Sequence, residues 1–197
     1  MKFKNVKVYG LYESMIRSGY PMQVGEPMEL KYEYPFQFVP DERDVGRALK
    51  LSNTPNGSGH NNFLKGIIVQ FDLQYPEYFS PQLQRYHWID IVSSQSKMVS
   101  LTKIKDIKDN CNKYVLSTSI YLVNKMISFY NEESIYPIKL GIPSIFNFDE
   151  IEYEFIEIQT KQELFQYIIS NLPMGFELWM GMSTNYLQLK TIYNQRK

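Results

Sequence analysis

Cysteine and histidine are nearly missing from this 197-residue chain, which has one cysteine, Cys111, and two histidines, His60 and His87. A lone cysteine cannot close an intramolecular disulfide, and it points to a reducing compartment. No His/Cys set has metal-ligand spacing, so no metal site is expected. Neither a Walker pattern nor a dinucleotide glycine pattern appears. No run reaches the roughly 18 apolar residues of a membrane span, and the polar start MKFKNVKVYG is not a secretory signal. Charge of one sign is also lacking: 21 Lys and Arg balance 21 Asp and Glu. No global field therefore draws in nucleic acid or a membrane surface. The expectation is a soluble, cytoplasmic protein with neither as partner.

Aromatic residues, by contrast, are abundant: 16 Tyr, 12 Phe and 2 Trp. They can fill a core, line clefts or form subunit contacts. Val6–Tyr9 reads as a strand entering a helix near Leu11–Ser18, which Gly19 and Pro21 end. Residues 20–42 form an irregular Pro- and aromatic-rich excursion, Asp41–Leu51 a short helix, and Thr54–Gly59 a loop. Ile67–Leu73 is an expected strand with Ile67, Val69, Phe71 and Leu73 on one face, stopped by Pro76. Ser80–Pro81 has the form of a helix start running on into QLQRYHWIDIV.

Lys113–Tyr130 is an expected amphipathic helix with Leu116, Ile120, Val123, Ile127 and Tyr130 on its stripe. Gly141 and Pro143 break the chain. Ile151, Tyr153 and Phe155 then alternate with glutamates as a half-exposed strand. Lys161–Asn171 is a helix stopped before Pro173, and Met174–Lys197 reads as another. No repeat or linker divides the chain, so one α/β (α+β) domain over 1–197 is expected.

The polar chemistry gathers in Gly59–His87. His60 reads either as a loop histidine satisfied by a neighbour or as a ligand contact. Arg85 and His87 read as a surface helix end or as a phosphate grip. Gln82, one helical turn before Arg85, adds an amide to the guanidinium, and together they suit a phosphate and a flat polar ring. Ser93, Ser94 and Ser96 form either a polar turn or a phosphate-holding loop. Cys111 has no cationic neighbour to make it a nucleophile. Asn185, Leu189, Ile192 and Arg196 step by four, three and four residues along one face of the last predicted helix.

These pieces together resemble the flavin-dependent thymidylate synthases, the ThyX family. That family reads Gly-His, an apolar strand closed by Phe, then Gln-x-x-Arg-His-Arg. Gly59, His60, Phe71, Pro76, Gln82 and Arg85 stand at matching positions. The tail adds Leu172–Pro173 and Asn185 followed eleven residues later by Arg196. The resemblance implies a ThyX-like fold, a central mixed or antiparallel sheet flanked by long helices, and a homotetramer whose sites are shared between subunits. It implies FAD as cofactor, NADPH and methylenetetrahydrofolate as co-substrates, and reductive one-carbon transfer to a pyrimidine deoxynucleotide such as dUMP. Arg85 and Arg196 would be catalytic. Gln82, Arg85, Ser96 and Arg196 would hold the nucleotide, and His60, Arg85, His87 and Asn185 the flavin. Where the family has Arg-His-Arg this chain has Arg85-Tyr86-His87, Ser96-Lys97-Met98 lacks an arginine, and Gly66 replaces an expected histidine. Those departures give the alternative: a ThyX-fold binding or structural protein with a decayed pocket.

Overall fold

The computed structural model describes residues 1–27, 40–132, 135–144 and 152–197. Most of the excursion expected over 20–42, together with Ile151, lies outside the described residues. The chain groups into two compact units.

The first unit comprises Met1–Leu73, Pro81–Ser93 and Met180–Lys197. It contains β1 (Lys2–Tyr9) and most of β2 (Ile68–Pro76), β3 (Ile89–Ser94) and β6 (Glu177–Asn185), ordered β1-β2-β6-β3. Around them lie helices α1 (Leu11–Arg17), α2 (Glu42–Ser52), α3 (Ser80–Leu83) and α7 (Tyr186–Arg196). The two-residue period predicted for β2 holds: Ile67, Val69 and Leu73 are buried and Phe71 is half-buried. Burying each such side chain is worth roughly 1.5–3 kcal/mol. Asp41 caps α2, its carboxylate accepting the N–H of Asp44 at 2.7 Å.

Two helices expected here are each helix in one part and strand in another. The helix from Ser80 ends at Leu83. The N–H groups of Arg85 and Tyr86 then turn back onto the carbonyls of Gln82 and Leu83, and Trp88 takes φ +69°. The β-branched Ile89, Ile91 and Val92 that follow suit a strand better than a helix. The tail is likewise split at Asn185. Leu178, Met182 and Thr184 are buried on a period of two, and Gly181 and Thr184 are poor helix formers. The helix-start form of Ser80–Pro81 and the helical spacing from Asn185 to Arg196 led to the helical expectation.

The second unit, Gln74–Ser80 and Ser94–Trp179, holds α4 (Lys97–Ser100), α5 (Ser117–Asn131), β4 (Ile138–Ser144), β5 (Glu152–Ile158) and α6 (Lys161–Ser170). Val123 and Ile127 of α5 meet Leu164 and Ile168 of α6 and Leu140 of β4 in one buried cluster. The start of α5 comes later than predicted, because Asn112 organises a turn by accepting the N–H of Tyr114. Leu116 is therefore left at the helix mouth, exposed. Antiparallel β4 and β5 pair Ile138 with Ile158 and Leu140 with Ile156. That register turns Ile156 and Ile158 inward and Phe155 outward, opposite to the face predicted for Phe155. Gly141 and Pro143 do not break the chain but lie within β4, which among the described residues pairs with β5 alone, and an edge strand tolerates a residue without an N–H.

Candidate functional site

Helix α7 is fastened to the first unit at three points. Asn185 is its cap, Oδ1 accepting the N–H of Gln188 at 2.9 Å, and the N–H of Tyr186 donates to the Ile67 carbonyl at 2.9 Å. Lys190 Nζ donates to the carbonyls of Ser52 and Thr54 at 2.5 and 2.7 Å, closing the C-terminal end of α2. Asn56 Nδ2 donates to Thr191 Oγ1 at 2.8 Å. The turn 84–88 is pinned in its own way: Thr184 Oγ1 donates to the Trp88 carbonyl at 2.6 Å.

These anchors bring segments about a hundred residues apart into one cleft of about 590 Å³. Gln82, Arg85, Tyr86 and His87 line one side; Gln188, Gln195 and Arg196 line the other. Arg196 Nε donates to Tyr86 Oη at 3.0 Å across it. Among the described residues the lining holds two guanidiniums, an imidazole and three primary amides, and no carboxylate. Among the described residues the side chains of Gln82, Arg85 and His87 make no hydrogen bond or ion pair, so their donors face solvent. A cleft of this make-up attracts anions, and its amides can meet the donor–acceptor edge of a polar ring.

Four of the residues singled out from the sequence thus share one place: Gln82, Arg85, His87 and Arg196. His60 is exposed in the turn after Gly59 and is not part of the cleft lining. Its neighbour Asn61 is the buried one, donating to the carbonyls of Thr54 and Pro55 and to Asn56 Oδ1. Asn185 does not face inward from mid-helix; its amide oxygen is committed to the cap. Ser96 belongs to the second unit, where its carbonyl accepts both the N–H and the hydroxyl of Ser100. Beside it Lys97 pairs with Glu77 at 2.9 Å. Tyr86, Gln188 and Gln195 were missed. The seven-residue interval between the two glutamines, two helical turns, is the signal that could have found them.

Gly66 has a packing reason. A β-carbon there would lie 2.5 Å from Ser14 Oγ, and one on Gly10 would lie 2.6 Å from the Gly66 carbonyl. With Gly10 also at φ +70°, the two glycines let this turn sit directly on α1. Cys111 is half-buried, and burial, then Asp106 and Glu177, push its thiol up to about 11. At neutral pH it stays in the protonated thiol form. Among the described residues no three His, Cys, Asp or Glu side chains gather as a metal site, and no helix is long and apolar enough to cross a membrane.

No family model matches the chain, and a search of curated proteins by sequence gives no match. Solved structures do match. A crystal structure of thymidylate synthase X (ThyX) from Helicobacter pylori with FAD and dUMP aligns with TM-score 0.57 and 11% identity, covering 100% of this chain and 84% of the other. A second, the flavin-dependent thymidylate synthase ThyX from Helicobacter pylori complexed with FAD and dUMP, gives TM-score 0.54 and 12% identity over the same shares. Identity this low speaks for architecture alone, and the chain has a ThyX-like mixed α/β fold.

Proposed function

We propose that the Arg85–Arg196 cleft takes a pyrimidine deoxynucleotide such as dUMP, and that the protein is an FAD-dependent, thymidylate-synthase-like enzyme acting by reductive one-carbon transfer. The supporting observation is the meeting of Gln82, Arg85, His87 and Arg196 in a cleft that contains no carboxylate. FAD and dUMP are named with both solved structures of similar fold. The donor set fits both molecules: each carries phosphate, and each presents an imide edge to amides. When bound, FAD supplies reducing equivalents drawn from NADPH, and methylenetetrahydrofolate the carbon. The chain's own groups bind and orient. Arg85 grips phosphate as a two-pronged donor, Arg196 does so from the opposite wall, and Gln82 and Gln188 read the ring edge. His87, Ser96, His60 and Asn185 are assigned to the same system by resemblance, His60, His87 and Asn185 on the flavin side.

Self-association belongs to the same proposal, as a homo-oligomer and most simply a tetramer. Phe3, Val6 and Val8 on β1 and Val92 on β3 are exposed at the two edges of the sheet, and apolar edges of that kind invite a partner. Light scattering on a sizing column reads the mass directly.

A second reading is favoured by Gly66. A β-carbon at that position would lie 2.5 Å from Ser14 Oγ, so the imidazole that the resemblance calls for is absent here and could enter only if Ser14 moved. On this reading the protein binds a nucleotide without flavin chemistry. A visible spectrum of the purified protein with added FAD separates the two. The enzyme reading predicts a bound-flavin spectrum perturbed by dUMP, and rescue of a thymidine-requiring strain. The binder predicts a dUMP-induced thermal shift with neither. A protein indifferent to both molecules contradicts both readings.

A further inference from the structure

We infer that Tyr86 is a positioning residue that fixes how Arg196 meets a phosphate, an inference that rests on the nucleotide reading above but adds a residue and a coupling to it. A guanidinium can grip an oxyanion side-on through Nε and one Nη, or end-on through its two Nη groups. In this cleft Nε of Arg196 is already taken, donating to Tyr86 Oη at 3.0 Å. The side-on mode is therefore closed and the Nη pair remains. Tyr86 is half-buried, while Arg196 is exposed on the last turn of α7. The phenol thus restrains a long side chain that solvent alone would leave free to sample many rotamers. Arg85, one residue before Tyr86, supplies the facing guanidinium, so the tyrosine sets the relation between the two cations of the cleft. Tyr86 stands between Arg85 and His87, where the resemblance expects histidine. That departure is a replacement by a group with a partner of its own, 110 residues away.

The test is a double-mutant cycle read by calorimetric titration of the full chain with dUMP and, separately, with inorganic pyrophosphate. Tyr86→Phe keeps the ring and removes the acceptor; Arg196→Met removes the guanidinium. For an exposed charge-assisted contact, Tyr86→Phe is expected to weaken binding about three- to tenfold. It should do nothing further in the Arg196→Met background and leave the melting temperature of the free protein unchanged, which a merely structural tyrosine would not. Equal losses in both backgrounds, or no loss in the wild-type background, overturn the inference. If dUMP fails to bind but pyrophosphate shows the coupling, the nucleotide reading falls and the role of Tyr86 stands. Absence of binding or of coupling with both probes overturns it.

Discussion

Two cavities of the first unit each hold a pair of arginines, and they could hardly be used more differently. One, of about 440 Å³, is bounded by Arg43 and Arg47 together with Asp41 and Asp44. There Arg47 donates to Ser18 Oγ at 3.1 Å and to the carbonyls of Met15 and Ile16, and it pairs with Asp44. Those carbonyls lie at the C-terminal end of α1 and also accept from Ser18 and Gly19, so the guanidinium adds a charged donor to a helix end that is already capped. Arg43 pairs with Asp41 at 3.2 Å. The other cavity holds Arg85 and Arg196 with amides, an imidazole and a phenol but, among the described residues, no carboxylate. Guanidinium count is the same in both. What separates the two is the presence of a counter-charge beside the guanidiniums.

The sharpest way to break that contrast is to remove one arginine from each side. Arg85→Ala should weaken dUMP about tenfold to a hundredfold, the worth of one charge-assisted bidentate contact, with no change in melting temperature. Arg47→Met should do the reverse. The Met15 and Ile16 carbonyls each lose one of their donors, Ser18 Oγ loses the Arg47 Nε donor and Asp44 its partner, at about 1–3 kcal/mol of stability by denaturant titration, while nucleotide affinity is untouched. Equal behaviour of the two variants would erase the distinction.

Smaller effects refine it. Asn185→Ala should cost about 1 kcal/mol through loss of the α7 cap. Any loss of affinity beyond that expected from fraying Gln188 would show that Asn185 also meets a ligand. At the small end stands a pH effect. The Asp44 N–H, with Arg43 in support, holds the Asp41 carboxylate below its ordinary 3.8. Its contribution to stability is then fully present above the unfolded value and fades as pH falls through the lower, folded one. A melting-temperature titration of Asp41→Asn, which keeps the cap and removes the charge, should lie flatter than wild type below pH ~4.

Much of the architecture was legible from local pattern. Helix α2, the inward face of β2 and helix α6 lie where Asp41–Leu51, the period of Val69 and Leu73, and Lys161–Asn171 before Pro173 put them, and the structure adds Asp41 and Thr160 as the two helix caps. The failures share a cause. The stretches after Ser80 and Met174 are apolar and short, and what decides them is a place in the sheet, which no window of sequence contains. The phase of β5 was lost for the same reason, since the register with β4 decides whether Phe155 or Ile156 points inward. At the site, Arg85 and Arg196 were legible as scarce cations in spaced motifs. The Tyr86–Arg196 bond was not, because it depends on α7 folding back to within 3.0 Å of a residue 110 positions away.

The central claim is that the cleft without a carboxylate is the nucleotide site. Calorimetric titration of dUMP into wild type, Arg85→Ala and Arg47→Met tests it most directly. The account predicts binding by wild type and Arg47→Met, and at least about tenfold weaker binding by Arg85→Ala at unchanged melting temperature. No binding by wild type, or equal affinity across all three, would contradict it.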